Sequence, residues 1–130
     1  MAKYQDKTVI VTGAGSGIGF ALCQAFAGAG AKVALNDIDA PLAEQAAGVI
    51  NSAIGAERVY PYALDVADVC RVREMVDDVA ERTGRLDIVI ANVGITNYGL
   101  FLEYSVEALD RLTGVNIRGT FFPPRRPLAR

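Results

Sequence analysis

The chain has 130 residues, of which 52% are hydrophobic and 22% are charged, and its formal net charge is -2. This length and composition predict one soluble globular domain and exclude a disordered or multi-domain chain. Because 13 Lys and Arg nearly balance 15 Asp and Glu, and no basic cluster precedes the last residues, we expect neither nucleic acid nor an anionic membrane surface as a partner.

The residue types that are rare or missing limit the kinds of catalytic and metal-binding site that the chain can form. The chain contains no histidine, which excludes His general bases, Ser-His-Asp and Cys-His nucleophile systems, and His-ligated zinc. Cys23 and Cys70 lie in helical patterns without a Cys-x-x-Cys spacing, so we expect two reduced, packed thiols. The N-terminal residues lack an apolar signal core and no stretch approaches the roughly 20 apolar residues of a membrane span. We therefore expect a cytoplasmic location.

Strands and helices alternate along the chain. The hydrophobic pattern predicts strands at 8–12, 32–36, 59–64 and 86–91. It predicts a buried helix at 18–29, further helices at about 41–54 and 68–84, and a last helix from about residue 105. Because the connections are short, this alternation predicts an α/β fold, a doubly wound parallel sheet with helices on both faces.

A glycine-rich turn joins the first strand to the first helix at Gly13-Ala-Gly-Ser-Gly-Ile-Gly19. Backbone N–H groups and the positive end of the helix dipole converge at such a turn, where a pyrophosphate group binds. We expect Gly13 to make the turn, Gly17 to let phosphate approach the backbone, and Gly19 to let the helix pack closely on the strand. A turn with a purely structural role is the alternative, since the spacing departs from the general G-x-G-x-x-G.

Asp37 ends the second strand, 18 residues after Gly19. A carboxylate at this place accepts hydrogen bonds from the adenine-ribose diol of a dinucleotide and repels a 2'-phosphate. The positions where a basic residue would bind that phosphate hold Ser16 and Ile38, so NAD is favoured over NADP. The alternative interpretation of Asp37 is a solvated acid in a loop.

In these features the chain resembles the short-chain dehydrogenase/reductase family over about residues 5–122, since the family's glycine motif matches Thr12-Gly-Ala-Gly-Ser-Gly-Ile-Gly19. The resemblance implies a Rossmann-like NAD-binding half-domain at 1–122, with about four strands in the order 3-2-1-4 and a cofactor crevice at the carboxyl ends of strands 1 and 4. It implies that the cofactor is bound by Gly13, Ser16, Gly17, Ile18, Gly19, Asp37, Ile38, Asp65, Val66, Asn92 and Gly94.

Two later segments carry the resemblance as well. The family's Asn-Asn-Ala-Gly stands here as Ala91-Asn-Val-Gly94, in which the first Asn and the Ala are replaced. The segment Val115-Asn-Ile-Arg-Gly119 matches the one that holds the first member of the family's Asn-Ser-Tyr-Lys tetrad. This match makes Asn116 the candidate catalytic residue, with the implied role of helping to hold a proton-relay water.

Position within the last helix gives Asn116 a second interpretation. It lies seven residues after Leu109 and four after Leu112, so the periodicity places it on the apolar stripe of that helix. We therefore expect a buried amide, which must find hydrogen-bond partners. A core Asn that bends the helix or satisfies the backbone is the alternative to a catalytic role.

The other members of the tetrad are missing from the sequence. The family transfers hydride with a Ser and a Tyr-x-x-x-Lys pair, in which the Lys lowers the pKa of the Tyr. None of the five tyrosines here is followed four residues later by a lysine. The resemblance therefore implies the NAD-binding portion of an oxidoreductase that moves hydride between NAD and an alcohol or carbonyl substrate, inactive by itself.

A non-catalytic nucleotide-binding or interaction module is the second hypothesis. Strand 4 at 86–91 would be an open apolar edge, and the last helix would have an uncovered outer face. We expect self-association through both.

The last eight residues, 123–130, change in character, with three of the five prolines and three arginines. They contradict the helix that they extend, so we expect an aberrant, exposed and poorly ordered tail. A change of reading frame is one hypothesis for this switch, and a natural short product or a deliberate truncation are the others.

Overall fold

Four parallel strands form one sheet in the computed structural model, which describes residues 3–94 and 105–119. The strands are β1 (Thr8–Val11), β2 (Lys32–Asp37), β3 (Val59–Ala63) and β4 (Ile88–Ile90). The helices are α1 (Gly17–Gly28), α2 (Ala40–Ile54), α3 (Val69–Thr83) and α4 (Val106–Thr113), which continues into a π-helical turn (Gly114–Arg118), here called the π segment. The strand order is β3-β2-β1-β4, which confirms the predicted fold class and order. The predicted tail, 123–130, and the connection 95–104 lie outside the described residues.

The central strand β1 divides the core into two layers. Val9 and Val11 pack with Cys23 of α1 on one face of the sheet, whereas Ile10 packs with Met75 of α3 on the other. All three β1 residues are fully buried. A strand covered on both faces by helices reads as a continuous β-branched run rather than as an alternating one, which is the pattern of residues 8–12.

Two expectations about burial are corrected by the structure. The first helix is buried on one side only, at Gly19, Cys23 and Ala27, while Ile18 at its start is 75% exposed. Cys23 is a packed thiol, and burial raises its pKa to about 12. Cys70 is exposed, because it lies on the side of α3 opposite the stripe that faces the sheet.

Strand β4 is shorter than the predicted run 86–91. At its start, the Asp87 carboxylate accepts a hydrogen bond from the Thr8 N–H (2.9 Å). At its end, the Asn92 N–H donates to the Thr12 hydroxyl oxygen (3.0 Å). For the Thr8 and Asn92 N–H groups a side-chain oxygen thus takes the place of a backbone carbonyl, while the Asp87 and Thr12 N–H groups still donate to the carbonyls of Thr8 and Ile90.

The outer edge of β3 is closed by side chains of the same chain. The Asn51 amide donates to the Val59 carbonyl (2.9 Å) and accepts from the Val59 N–H (2.9 Å). Pro61 has no N–H to offer a neighbouring strand, and Arg71 donates to the Ala63 carbonyl (3.4 Å). An edge treated in this way resists pairing with another strand.

At the other end of the sheet, β4 pairs with β1 on one side only in the described part of the chain. Its three residues are half-buried, unlike the fully buried residues of β1.

Among the described residues, no helix is both long and apolar enough to cross a membrane.

Candidate nucleotide-binding site

The carboxyl ends of the four parallel strands meet at one end of the sheet, where they surround a crevice of about 80 Å³. Five of the residues predicted to bind the cofactor line this crevice: Gly13, Asp37, Ile38, Asp65 and Val66. They lie at the carboxyl ends of β1, β2 and β3 or in the segments that directly follow these strands. The segment after β4 adds Val93, and the last helix adds Arg111 and Val115.

The turn after β1 is fixed to the segment after β4 by hydrogen bonds. The Asn92 amide donates to the carbonyls of Thr12 and Gly13, both at 3.1 Å. The Thr12 hydroxyl accepts from the N–H of Asn92 (3.0 Å) and of Val93 (3.4 Å). Asn92 therefore holds the glycine turn in place, a role that the sequence pattern did not indicate.

Glycines in this turn differ in what surrounds them. A Cβ on Gly19 would lie 2.7 Å from the Gly13 carbonyl oxygen, so α1 packs against the turn only without a side chain there. Gly17 has a φ of +63° and nothing within 4 Å of where a Cβ would be. The backbone at Gly17 is thus open to an approaching ligand.

Helix α1 begins without a capping side chain. The side chains of Asp39, Asp68 and Ser105 accept hydrogen bonds at the N-termini of α2, α3 and α4. Ser16, at the same position of α1, makes no such bond, and the first turn of α1 contains no acidic residue. The first N–H groups of a helix lack intrahelical partners and carry the positive end of its dipole. The start of α1 can therefore bind an anion.

Asp37 is held in a fixed position at the rim of the crevice. Its carboxylate accepts from the N–H of Gly15 (3.0 Å) and of Asp39 (3.1 Å). A Cβ on Gly15 would lie 2.7 Å from that carboxylate and 2.8 Å from Leu42 Cγ. A carboxylate has about four acceptor sites, so capacity remains for two hydroxyl groups. Gly15 is thus a site residue absent from the predicted set, although its place in the glycine run was a usable signal.

Asn36 connects three strand ends, and it is a second site residue that the sequence pattern did not identify. It is buried, and its amide donates to the carbonyls of Tyr62 (3.0 Å) and Leu64 (3.1 Å). Its oxygen accepts from the Gly13 N–H (3.4 Å). In the sequence, Asn36 reads only as the end of a strand, so no local pattern distinguishes it.

Asp65 forms an ion pair with Arg111 of α4 and accepts a hydrogen bond from the Ala67 N–H (2.9 Å). Burial alone would raise the pKa of this carboxyl group, but the Ala67 N–H and the Arg111 guanidinium outweigh burial and hold the pKa below its ordinary value of 3.8. The two partners are 46 residues apart in the chain, and no sequence pattern relates them.

The structure corrects the expected burial of Asn116. Leu109 is 52% exposed and Asn116 is half-buried, so the two residues do not share a buried stripe. The helix changes from α to π at Gly114, and the extra residue in a π turn shifts the register on which the seven-residue spacing depended. Asn116 instead lies near Gly94, where a Cβ would be 3.6 Å from the Asn116 oxygen.

Ser16 and Ile18, at the start of α1, are not among the residues that line the crevice. Ile18 and Ile38 are 75% and 59% exposed, which leaves two large apolar side chains uncovered near the start of α1 and the end of β2. Ser16 is also exposed, whereas Val66 is buried.

Replacement of Gly15 tests the crowding around Asp37. We expect Gly15→Ala to lower the free energy of unfolding by about 1–3 kcal/mol, because its Cβ would overlap the carboxylate and Leu42. Gly48→Ala is the control, since a Cβ on this exposed helical glycine meets nothing within 4 Å. Chemical denaturation should show that the control is neutral or more stable by up to about 1 kcal/mol. Equal effects of the two changes would contradict the crowding.

The lowered pKa of Asp65 predicts a pH-dependent contribution to stability. We expect Asp65→Asn to lower the free energy of unfolding at neutral pH by less than about 1 kcal/mol, because the ion pair is partly exposed. Since the carboxyl pKa is lower in the folded than in the unfolded chain, this contribution is complete above about pH 4 and is lost as the pH falls through the folded value.

Urea unfolding at several pH values measures this difference between the wild type and Asp65→Asn. Asp110→Asn, at an exposed carboxylate beside Arg111, should give no such pH-dependent difference. A difference for Asp65→Asn that stays constant down to about pH 2 would show that ionisation of Asp65 plays no part.

Comparison with known proteins identifies the same family that the sequence motifs resemble. A family model for short chain dehydrogenase matches residues 7–127. An uncharacterized oxidoreductase of Thermotoga maritima is 41% identical over 120 residues, which are 92% of this chain and 46% of the relative.

Solved structures agree with this match. A 3-ketoacyl-(acyl-carrier-protein) reductase from Brucella melitensis, complexed with NADH, superposes with a TM-score of 0.85 at 32% identity, over 95% of this chain and 49% of that one. A short chain dehydrogenase from Burkholderia cenocepacia, in complex with NADP, gives 0.87 at 34% identity, over 95% and 50%. The chain spans about half the length of these relatives. Since the family model covers nearly the whole chain, the chain belongs to the short-chain dehydrogenase/reductase family.

Proposed function

We propose that this chain binds NAD in the crevice at the carboxyl ends of its strands, as the nucleotide-binding portion of an oxidoreductase. The observation that carries this proposal is the uncapped start of α1 beside the open backbone of Gly17. An anion fits there, and Asp37 stands at the end of the neighbouring strand. Together these features match a ligand that has a phosphate group next to a sugar with free hydroxyls.

The pyrophosphate would be bound by backbone groups at the start of α1. The N–H groups of Gly17, Ile18 and Gly19 belong to the first turn, which has no intrahelical acceptors for them. Ser16 is exposed at the N-cap and adds a hydroxyl to this surface. The binding therefore depends on backbone geometry, which agrees with the lack of free space at Gly19.

The adenosine half would occupy the crevice beside Asp37. The carboxylate, fixed by Gly15 and Asp39, would accept hydrogen bonds from the ribose hydroxyls, and the exposed Ile38 would cover the base. Asp65 and Val66 also line the crevice. A 2'-phosphate would bring a second negative group against Asp37, so we infer a preference for NAD over NADP.

The nicotinamide half would lie toward Asn92, Gly94 and Asn116. NAD supplies the hydride acceptor when it is bound. Asn92 keeps the wall of the crevice in place through its bonds to the glycine turn, and Asn116 would help to hold a proton-relay water. An amide neither gives nor takes a proton at neutral pH, and the sequence contains no Tyr-x-x-x-Lys pair, so we infer that this chain does not transfer hydride by itself.

Titration calorimetry with NAD and NADP tests the cofactor assignment. We expect Asp37→Asn to weaken NAD binding about tenfold, through loss of charge-assisted ribose hydrogen bonds, and to reduce the preference for NAD over NADP. Glu44→Gln, at an exposed position of α2, should leave both affinities unchanged.

Three results would count against this proposal. Absence of binding at millimolar NAD, or equal affinity of the wild type for NADP, would overturn the cofactor assignment. Formation of NADH by the purified chain with a panel of alcohols would contradict the inference that the chain does not transfer hydride by itself.

We also propose that the chain self-associates through the β4 edge and the outer face of α4. The closed edge of β3 leaves β4 as the accessible edge of the described sheet. On the last helix, Val106, Leu109 and Ile117 are 68%, 52% and 61% exposed. Neighbouring apolar side chains at this exposure are typical of a surface that another subunit covers.

Sedimentation or light scattering measures the mass that this association predicts. We expect the double variant Val106→Thr/Leu109→Gln to weaken association at least tenfold, because it removes apolar area from the contact. Val49→Thr is the matched control, since Val49 is 51% exposed on α2, away from this face. A wild-type chain that stays monomeric at the highest accessible concentration would exclude self-association.

A further inference from the structure

The last helix is attached to the rest of the protein through the turn after β3 and through Val115 of the π segment, which is buried in the core. None of the eight residues of α4 is buried. Three positions along α4 and the segment after it face the turn after β3. Arg111 pairs with Asp65, and a Cβ on Gly114 would lie 3.2 Å from Ala67 Cβ. Further along, a Cβ on Gly119 would lie 2.5 Å from Val66 Cγ2, so the backbone there lies directly against the turn.

The same turn forms one wall of the crevice. Asp65 and Val66 line the crevice, and so do Arg111 and Val115 from the helix side. The Asp65 carboxylate is fixed by the Ala67 N–H and meets the guanidinium with its other oxygen. A ligand in the crevice therefore lies against both members of the ion pair.

Solvent access decides how strongly this pair holds the helix. The Arg111 and Asp65 side chains are 45% and 33% exposed, and water and salt weaken an ion pair at that exposure. A nucleotide base that covers the pair excludes water and lowers the local dielectric, which strengthens the attraction between the two charges. Because α4 has no buried residue of its own and the core contact lies beyond it, at Val115 of the π segment, this change acts on a helix whose first eight residues are weakly anchored.

We propose that the Asp65–Arg111 ion pair couples nucleotide binding in the crevice to the position of the helix that carries Asn116. Arg111 is a positioning residue in this scheme: it acts on Asn116 through the helix that contains both. The proposal rests on the nucleotide-binding function inferred above. Coupling of this kind is reciprocal, so loss of the pair weakens binding of the adenine half by the same factor by which binding stabilises the helix.

Amide hydrogen exchange of residues 106–119 in the whole chain tests the coupling. We expect saturating AMP to slow exchange in this segment about fivefold or more, and nicotinamide mononucleotide, which lacks the adenine base, to have no such effect. Arg111→Gln should abolish the slowing and weaken AMP binding by a similar factor. Arg111→Lys should restore part of both effects, because it keeps the charge but loses the planar geometry of the guanidinium. Arg73→Gln, at an exposed position of α3, is the control and should behave as the wild type.

A double-mutant cycle distinguishes positioning from direct contact with the ligand. In an Asp65→Asn background, Arg111→Gln should cause no further loss of AMP affinity, since its partner charge is already gone. A further loss of the same size would show that Arg111 acts on the nucleotide directly and would overturn the proposal. AMP binding with unchanged exchange in 106–119 would also overturn it while leaving the nucleotide function intact. Failure of the wild type to bind AMP would contradict the nucleotide function itself.

Discussion

The turn after β1 has room for backbone but almost none for side chains, and the geometry of the crevice depends on this constraint. Gly13 faces the backbone of Val93, which follows β4, and Gly15 faces the carboxylate of Asp37, which ends β2. Gly19 faces the carbonyl of Gly13 within the turn itself. At Gly13 and Gly15 a different segment approaches the turn, at Gly19 the turn packs against itself, and Gly17 is left open. The segments therefore surround Gly17, whose backbone stays open to solvent.

Hydrogen bonds from side-chain amides and a hydroxyl hold these closely packed segments in position. The strands of a parallel sheet end at the same side, so their last carbonyls and the first N–H groups after them lack ladder partners there. Asn36 satisfies such groups after β1 and β3, and Thr12 with Asn92 does so between β1 and β4. No buried side-chain nitrogen or oxygen in the described part of the chain lacks a partner. The rim of the crevice is thus a satisfied polar network, which holds its shape better than a loop of the same length would.

Fold and site differ in how far the sequence could predict them. The elements and layers follow from alternation, from β-branched runs such as 8–12, and from local signals such as the cap at Asp68 and the glycine at 84, whereas the strand order was implied by the family resemblance. The pairing of Asp65 with Arg111, the roles of Asn36 and Gly15, and the change from α to π at Gly114 depend on side chains brought together from distant segments. A single sequence has no local pattern that encodes such contacts. The exposure of Cys70 is the exception, since the stripe formed by Val72, Met75, Val76 and Val79 already placed it on the outer side of α3.

The closed edge of β3 has a consequence for the kind of assembly that this fold can form. Asn51, Pro61 and Arg71 occupy the positions where an incoming strand would bond. Unlimited growth of a β-sheet needs two receptive edges on every copy, because each addition must expose a new one. A sheet with a single receptive edge joins one other strand or one other sheet and then stops. The three residues therefore keep the β3 edge of the described sheet from being the second receptive edge that fibre growth requires.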